Sequence, residues 1–440
     1  MEIHQFKPNP PSIKGLIRIH KPEQPIRPIV NWHHAPAYKL ARLFKDKIYQ
    51  LAPLLNTFNL KNTKELIQKL EDTPWAPHFK LASLDIKNLY PSIPTKETKT
   101  ILEGTLKKYY INPQTEQELL NWYDTITQQN YFTNDNNILI QQDGLAMGAP
   151  SSSLIAEIFL QHLEHLHLPQ LTHKHKIINY WRYADDILIT YDPNHTNIQA
   201  ILQDFNSMHT SLQFTAETET DNSINYLDIS IHKSPTGLKI SIFRKPTFTD
   251  TIIPYTSNHP TQHKYAAIRF LYHRLNTYNL QKQEHDRELN IIHNILYNNA
   301  FPIKNQNSHT HNTQEEHPPK TQQKWATFTY TGKETTYITN IFKQTDIKIA
   351  FRTNNTLDRL LSIKEPAPDK YVQAYTDSHA KNATKHRWAK PDGASTHAIK
   401  NTNKLSKTTA THPTLPSTSM KTHIRLVPCK YLNTTKKGHT

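Results

Sequence analysis

From Ile177 to Tyr191 the chain reads as an apolar run, a short acidic turn and a second apolar run. Ile177, Ile178, Tyr180, Trp181 and Tyr183 precede Ala184-Asp185-Asp186, and Ile187, Leu188, Ile189 and Tyr191 follow. Runs this short, β-branched and aromatic predict strands, so the stretch predicts a hairpin with two acids at its tip. Leu16–Lys21 and Arg27–Val30 predict strands separated by the turn signal Pro22-Glu23-Gln24-Pro25. Further strands are expected at Leu81–Ile86, Gln213–Glu217, Asn225–Ile231 and Leu238–Phe243, the last two joined around Pro235-Thr236-Gly237. Helical spacing appears at Ala37–Leu51, at Thr63–Leu70 behind Asn62 and Glu65, at Thr98–Tyr110 and at Glu116–Gln129. A glycine-punctuated loop, Gly144 to Pro150, enters a helix capped among Ser151-Ser152-Ser153 and running through Ile155, Ile158, Phe159 and Leu163. Thr196–Leu212 and most of residues 262–300 also read as helix.

Composition adds a partner class. The 440 residues carry a formal net charge of +15, which favours a polyanion and nucleic acid first. No run of apolar residues is long enough to span a bilayer, and Met1–Gly15 has no apolar signal core, so neither a membrane protein nor a secreted one is expected. One cysteine, Cys429, allows no intramolecular disulfide and no cysteine-based zinc ribbon, and no disulfide-linked partner is expected. The 27 histidines are scattered, and His259, His263 and His273 have no cysteine or acidic support, so they are read as surface or phosphate-facing residues. Asn305–Gln323 reads as a polar linker, with structure resuming over Trp325–Ile363. From Ala374 to Thr440 there are ten Lys and two Arg against two Asp, with thirteen Thr, a composition that predicts disorder.

Asp85 ends one predicted strand, and Asp185-Asp186 tip a hairpin 100 residues later. A lone acid at a strand end also serves as a cap, and an Asp-Asp turn can simply be solvated. Adjacent buried carboxylates, however, repel and lose hydration, and a hard divalent cation resolves both costs. If the two strands are sheet neighbours, two cations held there could support nucleotidyl transfer to a primer 3′-hydroxyl. Lys21 and Arg27, flanking their turn, are placed to meet a triphosphate or to be solvated bases on a hairpin.

The order SLDIKNLY, QQDGLAMGAPSSS, YADD and INYLDISI resembles motifs A, B, C and E of reverse transcriptases. With IHKPEQPIRPIV before and RKPTFTDTIIPYTSNHP after, residues 13 to 363 are similar to Penelope-like retroelement reverse transcriptases, relatives of telomerase reverse transcriptase. The resemblance implies an α+β right-handed polymerase with fingers, a palm with an antiparallel sheet and a helical thumb, followed by a disordered basic tail. It implies RNA-directed DNA synthesis with two Mg²⁺ ions, Mn²⁺ being the alternative, an RNA template, a DNA primer and deoxynucleoside triphosphates. Asp85, Asp185 and Asp186, with the Ile86 backbone carbonyl, match the metal ligands, Asp186 in the less direct role. Tyr90 matches the aromatic gate against a ribose 2′-hydroxyl, and a core tyrosine is the plainer reading. Met147 and Gly148, within Gly144–Ser151, match the nucleotide-lining motif, Lys21 and Arg27 the triphosphate contacts, and Asn225, Tyr226, Leu227 and Asp228 the primer grip.

The implied division is a lead-in over 1–12, fingers over 13–80, palm over 81–245, thumb and connection over 246–363, and a tail over 364–440. Such retroelement proteins often carry a longer front and a GIY-YIG endonuclease. Neither is expected here: the chain begins almost at the finger motif, and after Gln373 it switches abruptly to AYTDSHAKNATKHRW, as a change of reading frame would produce. The competing expectation is a catalytically inactive retroelement remnant that only binds nucleic acid. The resemblance points to the nucleus or cytoplasm.

Overall fold

The computed structural model describes residues 9–18, 24–54, 58–134, 137–235, 237–302, 324–353 and 426–428. Lys21, the polar stretch after residue 302 and nearly all of the basic tail lie outside the described residues.

The chain opens with the antiparallel pair β1 (Ser12–Ile17) and β2 (Ile26–Asn31), then α1 (Tyr38–Leu51) and α2 (Thr63–Glu71). The Asn62 side chain accepts from the Glu65 N–H at 3.0 Å, and Glu65 reaches back to the Lys61 N–H at 2.8 Å, so the predicted start of α2 is a reciprocal cap. Next come β3 (Lys80–Ile86), the single turn α3 (Leu89–Ser92), α4 (Thr95–Lys108) and α5 (Pro113–Gln128). The short strands β4 (Tyr131–Asn134) and β5 (Asn137–Gln141) precede the long α6 (Ser152–His175). The acidic hairpin is β6 (Ile177–Tyr183) and β7 (Asp186–Tyr191), followed by α7 (Ile198–Ser207) and β8 (Phe214–Thr218). A three-stranded meander, β9 (Ser223–Tyr226), β10 (Ile229–Ser234) and β11 (Gly237–Ile242), leads to α8 (Thr261–Thr277) and α9 (Lys282–Asn298). Beyond them lie β12 (Lys324–Tyr330), α10 (Glu334–Thr339), β13 (Ile347–Thr353) and β14 (Leu426–Pro428).

The central sheet runs β6-β7-β3-β8 and is antiparallel throughout. Both of its faces are covered, which is why the strands read as continuous apolar runs. Ala82, Leu84, Ile187 and Ile189 join a core that includes Ile155, Ile158 and Phe159 of α6. Leu81, Trp181 and Leu188 join a second core with Leu66, Ile67 and Leu70 of α2 and Ile229 and Ile231 of β10. The strands of this sheet come from three separate stretches, β3, the β6–β7 hairpin and β8, so the acids of β3 and β7 meet only through tertiary packing.

Several boundaries differ from expectation. Asn225–Ile231 is not one strand: the chain reverses at Leu227-Asp228, with Leu227 in the left-handed region at φ 54°. No Gly or Asn marks that turn, so the apolar pattern runs through it unbroken. The opening sheet, ordered β14-β5-β4-β1-β2, draws β4 and β5 from residues 131–141, so the expected division near residue 80 does not follow the sheets. Ser151 does not cap α6 with its side chain; the Ser152 hydroxyl instead donates to the Ala146 carbonyl at 2.7 Å. Within the residues expected to form the tail, Leu426–Pro428 pairs antiparallel with Leu139–Gln141.

Candidate active site at the edge of the central sheet

Asp85 pairs directly with Asp186 in the register of β3 and β7, and the Ile86 N–H donates to the Asp185 carbonyl at 3.1 Å. The two predicted strands are therefore neighbours, and their acids reach the same end of the sheet. Ala184, at φ 55°, supplies the left-handed step that turns β6 into β7. Burial first, and then the Asp85 carboxylate, push the Asp185 carboxyl above the usual carboxylate range, while Arg27 and Arg18 pull against that rise. Burial and Arg27 lower Arg18, and Asp85 and Asp185 raise it. Four residues, Asp85, Asp185, Arg18 and Arg27, thus share one electrostatic neighbourhood.

Arg27 lies where expected, opposite Leu16 in the β1–β2 hairpin. Arg18 was not singled out by the sequence, and its position next to the turn was the available signal. Tyr90 sits on α3 close to the acids: burial and then Asp185 raise its phenol, and Arg27 lowers it. Its carbonyl accepts the Leu145 N–H at 2.7 Å, which ties α3 to the glycine loop. At the other end of that loop, the Val30 N–H of β2 donates to the Met147 carbonyl at 2.9 Å. Gly144 and Gly148 have φ of 79° and 122°, and a Cβ at either would collide with backbone, that of Pro91 and that of Val30. The loop is clamped between the floor near Tyr90 and the opening hairpin.

The acidic hairpin is itself held from below. Arg182, 1% exposed, donates from Nη1 and Nη2 to Glu157 at 2.9 and 2.8 Å and from Nε to Glu164 at 2.6 Å. Its Nη1 also reaches the Ala184 carbonyl at 3.3 Å, the residue that makes the turn. The Tyr180 hydroxyl donates to Glu164 at 2.9 Å, and Gln161 donates to Glu157 at 2.8 Å. Burial alone would raise the Glu157 carboxyl, but Arg182 outweighs it and the net shift is downward. Sequence reading missed this network. Its signal was two glutamates seven residues apart on an apolar helix face, facing an arginine inside an apolar strand.

The primer-grip candidates lie behind the acids. Buried Tyr226 donates its hydroxyl to the Asp186 carbonyl at 2.8 Å. The Asn225 side chain accepts from Ser230 at 2.6 Å. The Asp228 carboxylate is engaged inward, accepting from Thr63 of α2 at 2.6 Å and Tyr278 after α8 at 2.7 Å. It joins three elements, a role its sequence position did not reveal, and it helps push the Tyr278 phenol up to about 12 after burial.

Divalent cations fit Asp85 and Asp185 by donor chemistry. The Asp85 carboxylate makes no hydrogen bond or ion pair among the described residues, and Asp185 bears the repulsion of a neighbour that a cation would relieve. Among the described residues no three His, Cys, Asp or Glu side chains converge as a ready-made cage. Magnesium, which takes one or two carboxylates and leaves room for substrate oxygens, suits such an open pair.

Two known families match parts of the chain. Residues 19–219 match the family described as reverse transcriptase (RNA-dependent DNA polymerase). Residues 251–311, which were expected to be thumb and contain α8 and α9, match the family described as animal helix-turn-helix domain. No curated protein matches the chain. Similar solved structures include telomerase from Candida albicans with a fragment of telomeric RNA, at 12% identity and TM-score 0.47, covering 67% of this chain and 57% of that one. They also include the RNA-dependent RNA polymerase of a human picobirnavirus, at 12% identity and TM-score 0.38, covering 64% and 56%. The Sicinivirus RNA-dependent RNA polymerase matches at 15% identity and TM-score 0.40, covering 63% and 59%. The chain spans a little over half the length of each. No helix among the described residues is long and apolar enough to cross a membrane. Residues 19–219, which carry the paired acids on adjacent strands of an α+β fold, thus match the reverse transcriptase family over a little under half of the chain.

Proposed function

We propose that this chain is the RNA-directed DNA polymerase of a Penelope-like retroelement, extending a primer 3′-end on an RNA template with deoxynucleoside triphosphates. The observation that carries the reading is the meeting of Asp85 and Asp185 with Arg18 and Arg27 at one end of the central sheet. The motifs from IHKPEQPIRPIV to YTSNHP support the Penelope-like assignment.

In this reading Asp85 and Asp185 hold two divalent cations, magnesium or manganese, with the Ile86 carbonyl beside them. When bound, the cations supply charge neutralisation at the leaving pyrophosphate and a more acidic primer hydroxyl. Asp186 supports the turn through its backbone contact with Tyr226. Arg27 and Arg18, with Lys21, attract and orient the triphosphate. Tyr90 closes the sugar side of the site, and the loop at Met147–Gly148 lines the base. Asn225, Tyr226, Leu227 and Asp228 form the platform beneath the primer end, Asp228 by holding α2 to the segment after α8.

Primer extension on poly-A/oligo-dT by the purified chain, with Mg²⁺, with Mn²⁺ and with neither, tests the reading. Metal-dependent extension by wild type and none by Asp185→Asn is expected. A folded wild-type chain that binds primed template yet extends it with neither metal would overturn the polymerase reading in favour of a binding-only remnant.

A further inference from the structure

Residues 324–353 make a small β12–α10–β13 unit whose parallel strands pair Trp325 with Lys348, Thr327 with Ala350 and Thr329 with Arg352. Side chains alternate between faces along a strand. Phe328, Ile349 and Phe351 therefore share one face, where Phe342 packs on Phe328 with ring centroids 5.6 Å apart. Trp325, Thr327, Thr329, Lys348 and Arg352 share the other, and the Arg352 Nε donates to the Thr329 hydroxyl across it at 3.0 Å.

That second face is open. Trp325 is 62% exposed, and Thr327, Lys348 and Arg352 are exposed beside it. A groove of about 740 Å³ lies against the Phe328 face, lined by Phe342, Ile349 and Phe351, and also by Trp325, Lys343, Lys348, Gln262 and Asn340. The one acid that lines the groove, Asp346, is engaged by Lys324 at 3.0 Å. Among the described residues Lys343, Lys348 and Arg352 have no acidic partner.

We propose that this groove, with Trp325 and Lys348 along it, binds single-stranded RNA, with a base stacked on Trp325 and its flanking phosphates on Lys343 and Lys348. An exposed indole is a stacking platform for any unpaired base, whereas the bases of a duplex are already stacked on one another. Free cations without opposing acids complement phosphate. The amides of Gln262 and Asn340 can both donate to and accept from a ribose 2′-hydroxyl, which favours RNA over DNA. The assignment of this strand as the uncopied arm of a template rests on the RNA-directed reading above; the binding itself does not.

The test titrates the full chain, across a range of salt, with unprimed single-stranded RNA, the same sequence as DNA, and duplex RNA. Trp325→Ala is expected to weaken single-stranded RNA binding about fivefold to a hundredfold, and Trp325→Phe to retain most of it. Replacing Lys343 and Lys348 by Gln should lower the salt slope by about 1.4. Primer extension on a template whose arm is too short to reach the unit should be unchanged in Trp325→Ala. Binding by Trp325→Ala within about twofold of wild type, equal affinity for DNA and RNA, or equal loss on short and long template arms would each overturn the proposal. A chain that binds RNA through Trp325 but never extends a primer would sink the polymerase reading alone.

Discussion

Asp85 and Asp186 are direct partners across β3 and β7, yet it is Asp185 whose protonation responds to Asp85. Successive side chains in a strand leave in opposite directions, so the adjacent acids of the turn have different surroundings. Asp185 shares its neighbourhood with Arg18, Arg27 and Tyr90, while Asp186 acts on Tyr226.

Asp185→Asn should stabilise the metal-free protein near neutral pH while abolishing extension, by about a thousandfold or more. The sign follows from its raised carboxyl: between the ordinary carboxylate pKa and the raised value the native state binds more protons, so stability falls as pH rises through that window. Melting curves against pH, with and without Mg²⁺, check it. Magnesium should raise the melting temperature of wild type and not of the variant. A variant melting below wild type would show that Asp185 is not under strain.

Arg182→Ala should cost about 3–5 kcal/mol, because it leaves Glu157 and Glu164 as uncompensated buried charges. Replacing all three residues by apolar ones of similar volume should restore much of that stability, yet extension should remain slow because the Ala184 carbonyl has lost its anchor. Denaturant melts and extension rates on both variants separate these effects. The depressed Glu157 carboxyl gives stability that is present above its ordinary pKa of about 4.3 and lost as pH falls through its lower folded value.

Gly148→Ala should cost about 1–3 kcal/mol and reduce nucleotide affinity, since the new methyl meets the Val30 carbonyl and forces the loop off β2. An unchanged melting temperature with unchanged nucleotide KM would show that the clamp is dispensable.

Tyr90→Val should admit ribonucleotides more readily with little change for deoxyribonucleotides. Competition between the two sugars in single-nucleotide addition measures it, and unchanged selection would reject the gate.

Arg18→Gln should raise the nucleotide KM about tenfold while the fold is retained, as expected for losing one charge-assisted contact. Steady-state extension against nucleotide concentration reads this directly, and an unchanged KM would remove Arg18 from the triphosphate site.

The strands around the acids were legible because burial on both faces demands continuous apolar runs, and Leu81–Ile86 and Ile187–Tyr191 are such runs. The start of α2 was legible because Asn62 and Glu65 satisfy backbone N–H groups locally. The Leu227-Asp228 turn was not, because its left-handed step falls on a residue type that does not signal one. Position in sequence also hid Arg18, Glu157, Glu164 and Arg182 as partners of the site, since their roles depend on contacts that bridge separate elements.

By itself, then, the sequence determined which residues could carry the chemistry: Asp85, Asp185 and Asp186 at strand ends, and glycines at 144 and 148 where backbone must pass close. Local patterning suffices for that, because strand, turn and cap preferences act over a few residues. Only the tertiary structure decided which acid responds to which. Register, burial and the Arg182 support arise from packing β3 and β7 side by side over α6, and electrostatic coupling depends on distance and burial rather than on order along the chain.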